Sequence, residues 1–285
     1  MVTGIIDVGG GYRDIFGAGV LDGLLSSEIT FDHCYGISAG SGNLSSFLAG
    51  QYKRNYRFYV EYAFRHRYAS MRNMFKNRNF VGLDYAYGTL SNSDGEYPLN
   101  YPALVNNPAR FTVIASDATT GCAHYFSKED LSQDDYSIIM ASSCVPVANQ
   151  PVMIDGVPYY DGGITDPVPV ERAFADGCDK VVLITTHPID FVRDPRKDIA
   201  PAQVLKQTYP AIGQALLHRA EVYNAQIELA RQFANEGKLL ILAPDDTYGL
   251  NTLSKTRQGL INMYNDGVEK ARLVQEFLEG DVDDE

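Results

Sequence analysis

The chain has 285 residues, 45% of them apolar and 21% charged, an ordinary globular composition that excludes disordered and fibrous classes. Its formal charge of −12 excludes nucleic acid as a general partner, because displacing phosphate counterions takes a basic surface. No stretch approaches the roughly 18 apolar residues of a membrane span, and Met1-Val2-Thr3-Gly4-Ile5-Ile6-Asp7 lacks the basic start and apolar run of a signal peptide; a cytoplasmic chain is expected.

Taken in order, residues 2–8 read as a first strand, and Gly9-Gly10-Gly11-Tyr12-Arg13 follows it. Consecutive glycines let several amide N–H groups converge on one point, a geometry suited to an oxyanion or a phosphate. The run is neither GxxxxGK[ST] nor GxGxxG, since Asp14 stands where the last glycine belongs, so a nucleotide site is the weaker reading. A helix is predicted over 15–25 and a second strand over 31–37. That strand ends in Gly36-Ile37-Ser38-Ala39-Gly40, and a helix is predicted over 40–49. GxSxG between a strand and a helix is the pattern that exposes a serine Oγ at the top of a sheet, with flanking glycines where a Cβ would collide with neighbouring backbone. The helix N-terminus behind the serine, at Ala39, offers positive potential to a developing oxyanion.

Residues 51–80 carry Lys53, Arg54, Arg57, Arg65, Arg67, Arg72, Lys76 and Arg78 against Glu61 alone, interleaved with aromatic side chains. In an acidic protein this island is either a solvated face with snorkelling arginines or a surface that meets anionic head groups. Residues 84–108 form a weakly structured stretch, open to reading as a lid or as an ordered insertion. Strands follow over 111–116, 180–186 and 239–243, with antiparallel additions at 123–126 and in a hairpin, 152–154 and 157–160, turning at Asp155-Gly156. Helical spacing covers 167–174 and, continuously, 203–235. Alternating strands and helices imply a mainly parallel sheet covered on both faces. Cys34, Cys122, Cys144 and Cys178 are scattered, which suggests reduced thiols rather than a disulfide framework or zinc site. The acidic tail from Glu279 to Glu285 reads as solvated.

A nucleophilic serine needs a base. Histidine is usual, but His187 precedes Pro188 just after a strand, His218 sits in the long helix, and His33, His66 and His124 have no partner motif. The alternative is a carboxylate: Asp161, at the glycine turn Gly162-Gly163 directly after a strand, which would need desolvation to serve as a base.

The ordered set of Gly9-Gly10-Gly11-Tyr12-Arg13, Gly36-Ile37-Ser38-Ala39-Gly40 and Asp161-Gly162-Gly163 resembles the patatin-like phospholipase family, which uses a Ser-Asp dyad. Arg67 to Asn73, Met140-Ala141-Ser142-Ser143-Cys144-Val145-Pro146, Asp161 to Val170 and His218 to Asn224 are similar to its bacterial branch, so the likeness covers nearly the whole chain. The resemblance implies a three-layer α/β/α patatin-like fold with a mainly parallel central sheet, as one domain over 1–285. Residues from about 4 to 175 would carry the motifs, and 176–280 would complete the sheet and add C-terminal helices. It further implies lipid acyl-ester hydrolysis without cofactor or metal, Ser38 as nucleophile and Asp161 as base. Gly9, Gly10, Gly11, Tyr12, Arg13 and Ala39 would bind the oxyanion, with Gly36, Gly40, Gly162 and Gly163 as supporting turn glycines. Phospholipids or lysophospholipids are the expected substrates, short-chain esters or lipid binding with little turnover the alternatives, and peripheral contact with anionic membrane through 51–80 would accompany them. Asp14 departs from the family, which usually has glycine after the arginine. It is placed either to N-cap the following helix or to bring negative charge beside the glycine loop.

Overall fold

A computed structural model of the chain describes residues 1–280, so Asp281 to Glu285, most of the acidic tail, lie outside the described residues. Strand β1 (Thr3–Asp7) pairs in parallel with β2 (His33–Ile37) on one side and β7 (Lys180–Ile184) on the other. β3 (Arg110–Asp117) continues the parallel set beyond β2, and β8 (Leu239–Leu242) beyond β7. Three strands are antiparallel additions: β4 (Ala123–Ser127) on β3, and the hairpin of β5 (Val152–Ile154) and β6 (Val157–Asp161), whose β6 also pairs with β3. The hairpin turns at Asp155 and Gly156, both at positive φ (50° and 81°), as a two-residue primed turn requires.

Side chains along β1 alternate between two apolar layers. Ile5 faces α1 (Ile15–Ser26), α2 (Ala39–Leu48) and, later in the chain, the helix Arg257–Lys270, through Phe16, Leu44, Leu260 and Met263. Ile6 faces the opposite layer, where Val170 and Ala173 of the helix Val170–Ala175 and Tyr223, Ile227 and Ala230 of the helix Pro210–Asn235 cover the sheet. The result is the expected three-layer α/β/α arrangement around a mainly parallel sheet.

Two predicted segments differ. The stretch expected to be one helix over 203–235 is two, Arg196–Leu205 and Pro210–Asn235: Pro210 has no N–H to continue the first helix and pushes Tyr209 to φ −131°, ψ 79°. The stretch 84–108 is ordered, with a π-helical turn over Asp84–Leu90 and a short helix, Tyr101–Asn106, capped by Asn100, whose Oδ1 accepts the Ala103 N–H at 3.3 Å. Buried Leu90, Leu99 and Leu104 anchor it to the core. In the basic island, Arg54 is buried, and Arg57 and Arg65 pair with Glu61 and Glu96. Within it, the helix Met71–Asn77 buries none of its residues and leaves Phe75 83% exposed. Among the described residues no helix is long and apolar enough to cross a membrane.

Candidate active site

The register of β3 decides what meets at its centre. Ile37, the last residue of β2, lies opposite Ile114, and Asp161, the last residue of β6, lies opposite the next residue, Ala115. β4 occupies the other edge of β3 over the same positions. β2 and β6 therefore share one edge and arrive from opposite directions, so Ser38 comes up end to end against Asp161. The Ser38 hydroxyl faces the Asp161 carboxylate and favours its ionised form against the effect of burial.

Ser38 has φ 55° and ψ −131°, a conformation that costs a side-chain-bearing residue on the order of 1–3 kcal/mol and persists only when its surroundings fix it. Here serines fix it. The Ser38 N–H donates to Ser142 Oγ at 2.8 Å, and that hydroxyl donates to Ile114 O at 2.6 Å, bridging to β3 where β2 leaves it. The Ser38 carbonyl accepts from Ser41 Oγ at 2.6 Å and Ser143 Oγ at 3.0 Å. Gly40 sits where a Cβ would drive into the Asp7 backbone, Gly36 packs on the backbone of Ser41, and Gly162 on the carbonyl of Ile114.

Gly9, Gly10 and Gly11 all have positive φ (69°, 145° and 61°), conformations that glycine adopts without a Cβ clash. The loop lies against the serine turn: a Cβ on Gly9 would stand 2.9 Å from Ser38 Cβ and 3.0 Å from Ala39 N. The Gly9 N–H is taken by Asp7 Oδ1 at 3.2 Å and the Tyr12 N–H by Thr252 O at 3.4 Å. Of the expected donors, Gly10 and Gly11 on the loop and Ala39 at the positive end of α2 are the amides with no backbone or side-chain acceptor among the described residues. Tyr12 turns its ring into the core, beneath the Lys255 ammonium at 3.9 Å.

Asp14 stands at the N-cap position of α1 but makes no capping bond. Its side chain is fully buried beside Asp7, in the space that Gly17 leaves open: a Cβ there would lie 2.6 Å from Asp14 Oδ1 and 2.7 Å from Asp7 Oδ2. Burial raises both carboxyls, and repulsion by Asp7 raises Asp14 further, well above the carboxylate range. The Asp14 carboxyl is thus turned into the interior beside Asp7 and Gly17.

Asp161 is also raised by burial, against the pull of Arg219, the Ser38 hydroxyl, the Gly163 N–H at 2.8 Å and Arg193. A partly desolvated carboxylate is a stronger base than an exposed one. His187 lies in the same region, stacked on Phe191 with ring centroids 3.7 Å apart. Burial and the nearby Arg13, Arg193 and Lys197 push it down to about 3, which makes it a poor base. His218 is exposed, beside Gln214 and Glu221.

Two cavities open onto Ser38. One, of about 70 Å³, is walled by Phe58, Tyr59, Tyr68, Leu83 and Tyr87. The other, of about 240 Å³, lies between the glycine loop and Gly163 and is lined by Arg13, Arg193 and Arg219. Ser142, Ser143, Arg193 and Arg219 carry no motif of their own; Ser142, Ser143 and Arg219 fall in runs resembling the bacterial branch, where the sequence gives no hint that they face Ser38 or its cavity.

A family model described as patatin-like phospholipase matches residues 8–174. The chain belongs to the patatin-like phospholipase family. A second model, for a domain of unknown function, matches residues 209–279, which hold the helix Pro210–Asn235, β8 and the helix Arg257–Lys270. The chain is 29% identical over 193 residues to uncharacterized protein YjjU of Escherichia coli (strain K12), a match covering 66% of this chain and 53% of that protein. The chain thus spans about half the length of that curated relative. In fold it is similar to VipD from Legionella pneumophila, with a TM-score of 0.57 at 12% identity, over 98% of this chain and 67% of that one.

Proposed function

We propose that the protein is a serine acyl-ester hydrolase of phospholipids or lysophospholipids, working through Ser38 and Asp161. The observation that carries this is the end-to-end meeting of β2 and β6, which sets a strained serine hydroxyl on a buried carboxylate. Asp161 takes the hydroxyl proton as Ser38 Oγ bonds to the ester carbonyl carbon, and the carbonyl oxygen becomes an oxyanion held by the N–H groups of Gly10, Gly11 and Ala39. Collapse of that intermediate breaks the bond to the alcohol, which leaves with the proton from Asp161. Water, deprotonated by Asp161, then attacks the acyl-serine, and the proton returns to Ser38 Oγ as the acid departs. Arg13 adds positive charge beside the loop. Peripheral contact with anionic membrane, through the exposed helix Met71–Asn77, would bring lipid to the site.

A short-chain carboxylesterase is the second reading, favoured by the tyrosine-walled cavity, whose 70 Å³ is well under the about 300–1,000 Å³ of common ligand pockets. Lipid binding with little turnover rested on Asp14, and an Asp14 side chain turned into the interior beside Asp7 does not support it.

The test is a series of p-nitrophenyl esters and phospholipids of increasing acyl length. Ser38→Ala is expected to abolish hydrolysis and Asp161→Asn to lower kcat by about 10²–10⁴-fold, with His187→Ala and His218→Ala mild. Because Asp161 must be ionised and burial raises it, the acid limb of kcat/KM should lie above the ordinary aspartate value of about 4. Undiminished hydrolysis by Ser38→Ala overturns the proposal; a maximum at the shortest acyl chains selects the second reading.

A further inference from the structure

An ester has two arms, an acyl chain and an alcohol, and Ser38 has a cavity on either side. Resting on the acyl-hydrolase reading, we propose that Arg13, Arg193 and Arg219 form an anion subsite that holds a phosphate or carboxylate on the alcohol portion of the substrate.

The three guanidinium groups line the 240 Å³ cavity from different elements. Arg13 lies against Gly10, its Nη2 3.6 Å from where a Cβ would be, and Arg219 Nη2 comes within 3.1 Å of the same point on Gly163. They flank the ester position, one on the glycine loop and one just past Asp161. Their countercharge is incomplete. Asp198 is held by Arg193 through two bonds of 2.9 and 3.0 Å and is 3.8 Å from Arg219. Asp161 is engaged by Ser38 and Gly163. Arg13 has the Thr252 hydroxyl at 3.4 Å and, among the described residues, no carboxylate within ion-pair distance. The Nε atoms of both Arg13 and Arg219 are buried without a hydrogen-bond partner.

Buried guanidinium groups left short of acceptors are costly, and a planar fork of donors suits phosphate or carboxylate oxygens two at a time. Across Ser38, buried Arg54 on the acyl side also leaves its Nε unpartnered, but both its Nη atoms donate, to the hydroxyls of Ser46 and Ser91 and the carbonyl of Tyr97. The substrate class that fits is a monoacyl ester of a phosphorylated or carboxylated alcohol.

Two arms test it. In the first, kcat/KM is measured for a monoacylglycerol and the monoacylglycerol phosphate of the same acyl chain. The phosphate ester should be preferred by about tenfold or more, mainly through KM, with the preference shrinking toward one in Arg219→Gln and partly kept in Arg219→Lys, which retains the charge. In the second, inorganic phosphate is titrated calorimetrically into wild type, Ser38→Ala and Arg219→Gln. Binding should survive in Ser38→Ala and be lost in Arg219→Gln, and phosphate should compete with the phosphate ester. A preference near one in wild type overturns the proposal, whether or not free phosphate binds. Arginine-dependent phosphate binding without ester cleavage keeps the subsite and removes the hydrolase reading instead.

Discussion

Behind the glycine loop, Asp7 and Asp14 are packed together with Asn43 and Gly17 at zero exposure for both acids. Burial raises both carboxyls in the folded chain, so the native state holds a proton that an unfolded chain releases above about pH 4. The sign follows: this contribution to stability is complete below that pH and is lost as pH rises through the raised native values. Asp14→Asn keeps the shape and supplies a permanent donor to Asp7. Its melting temperature should therefore fall less than that of wild type between pH 4.5 and 8, measured by scanning calorimetry; parallel curves would show that the two acids do not share a proton. Gly17 belongs to the same local solution, because a side chain there would occupy the space of both carboxyl groups. The sequence marks Asp14 as a departure but is silent on its direction, since a capping role and a buried one use the same residue and differ only in which way the side chain turns.

The short helix Ser137–Ser142 acts on the nucleophile's turn through a single hydroxyl. Ser142→Ala leaves the Ser38 N–H and the Ile114 carbonyl without the bridge between them, a loss expected to cost about 1–3 kcal/mol in urea unfolding. Because the same peptide carries the strain at Ser38, kcat should fall along with stability; unchanged kcat with lowered stability would make the bridge purely structural. At this scale the sequence was readable where local rules decide. Short apolar runs marked β1 and β2, Asp155-Gly156 marked the hairpin, and the order of three glycine-rich motifs pointed to Ser38 and Asp161. It was unreadable where one element acts on another. Nothing local to Ser142, or to Arg219 in the middle of a long amphipathic helix, signals that each faces the serine turn or its cavity. The break at Pro210 was missed because apolar periodicity continues across it, while proline's missing N–H outweighs the pattern.

For the molecule as a whole, a chain of net charge −12 keeps a basic and apolar surface on one short excursion. The helix Met71–Asn77 leaves Met71 58% and Phe75 83% exposed, and Arg72 and Lys76 line a surface hollow with His66 and Arg67. The excursion is closed at its base by pairing of Ala69 with Val81, and Tyr68 and Val81 line the tyrosine-walled cavity, so a membrane met here would lie beside the acyl pocket. Co-sedimentation should show binding to phosphatidylserine-containing vesicles that weakens in high salt. Phe75→Ser with Lys76→Glu should reduce it about tenfold or more; equal binding to neutral vesicles would assign the patch another role. The meeting of β2 and β6 has a consequence for how this protein can vary. Its central pair is specified by counting along one strand: a one-residue slip of β6 on β3 would carry Asp161 about 3.3 Å away and turn it to the other face of the sheet. An exposed segment such as the helix Met71–Asn77 can change its chemistry without touching the core, while the distance between Ser38 and Asp161 is inherited from the ladder itself.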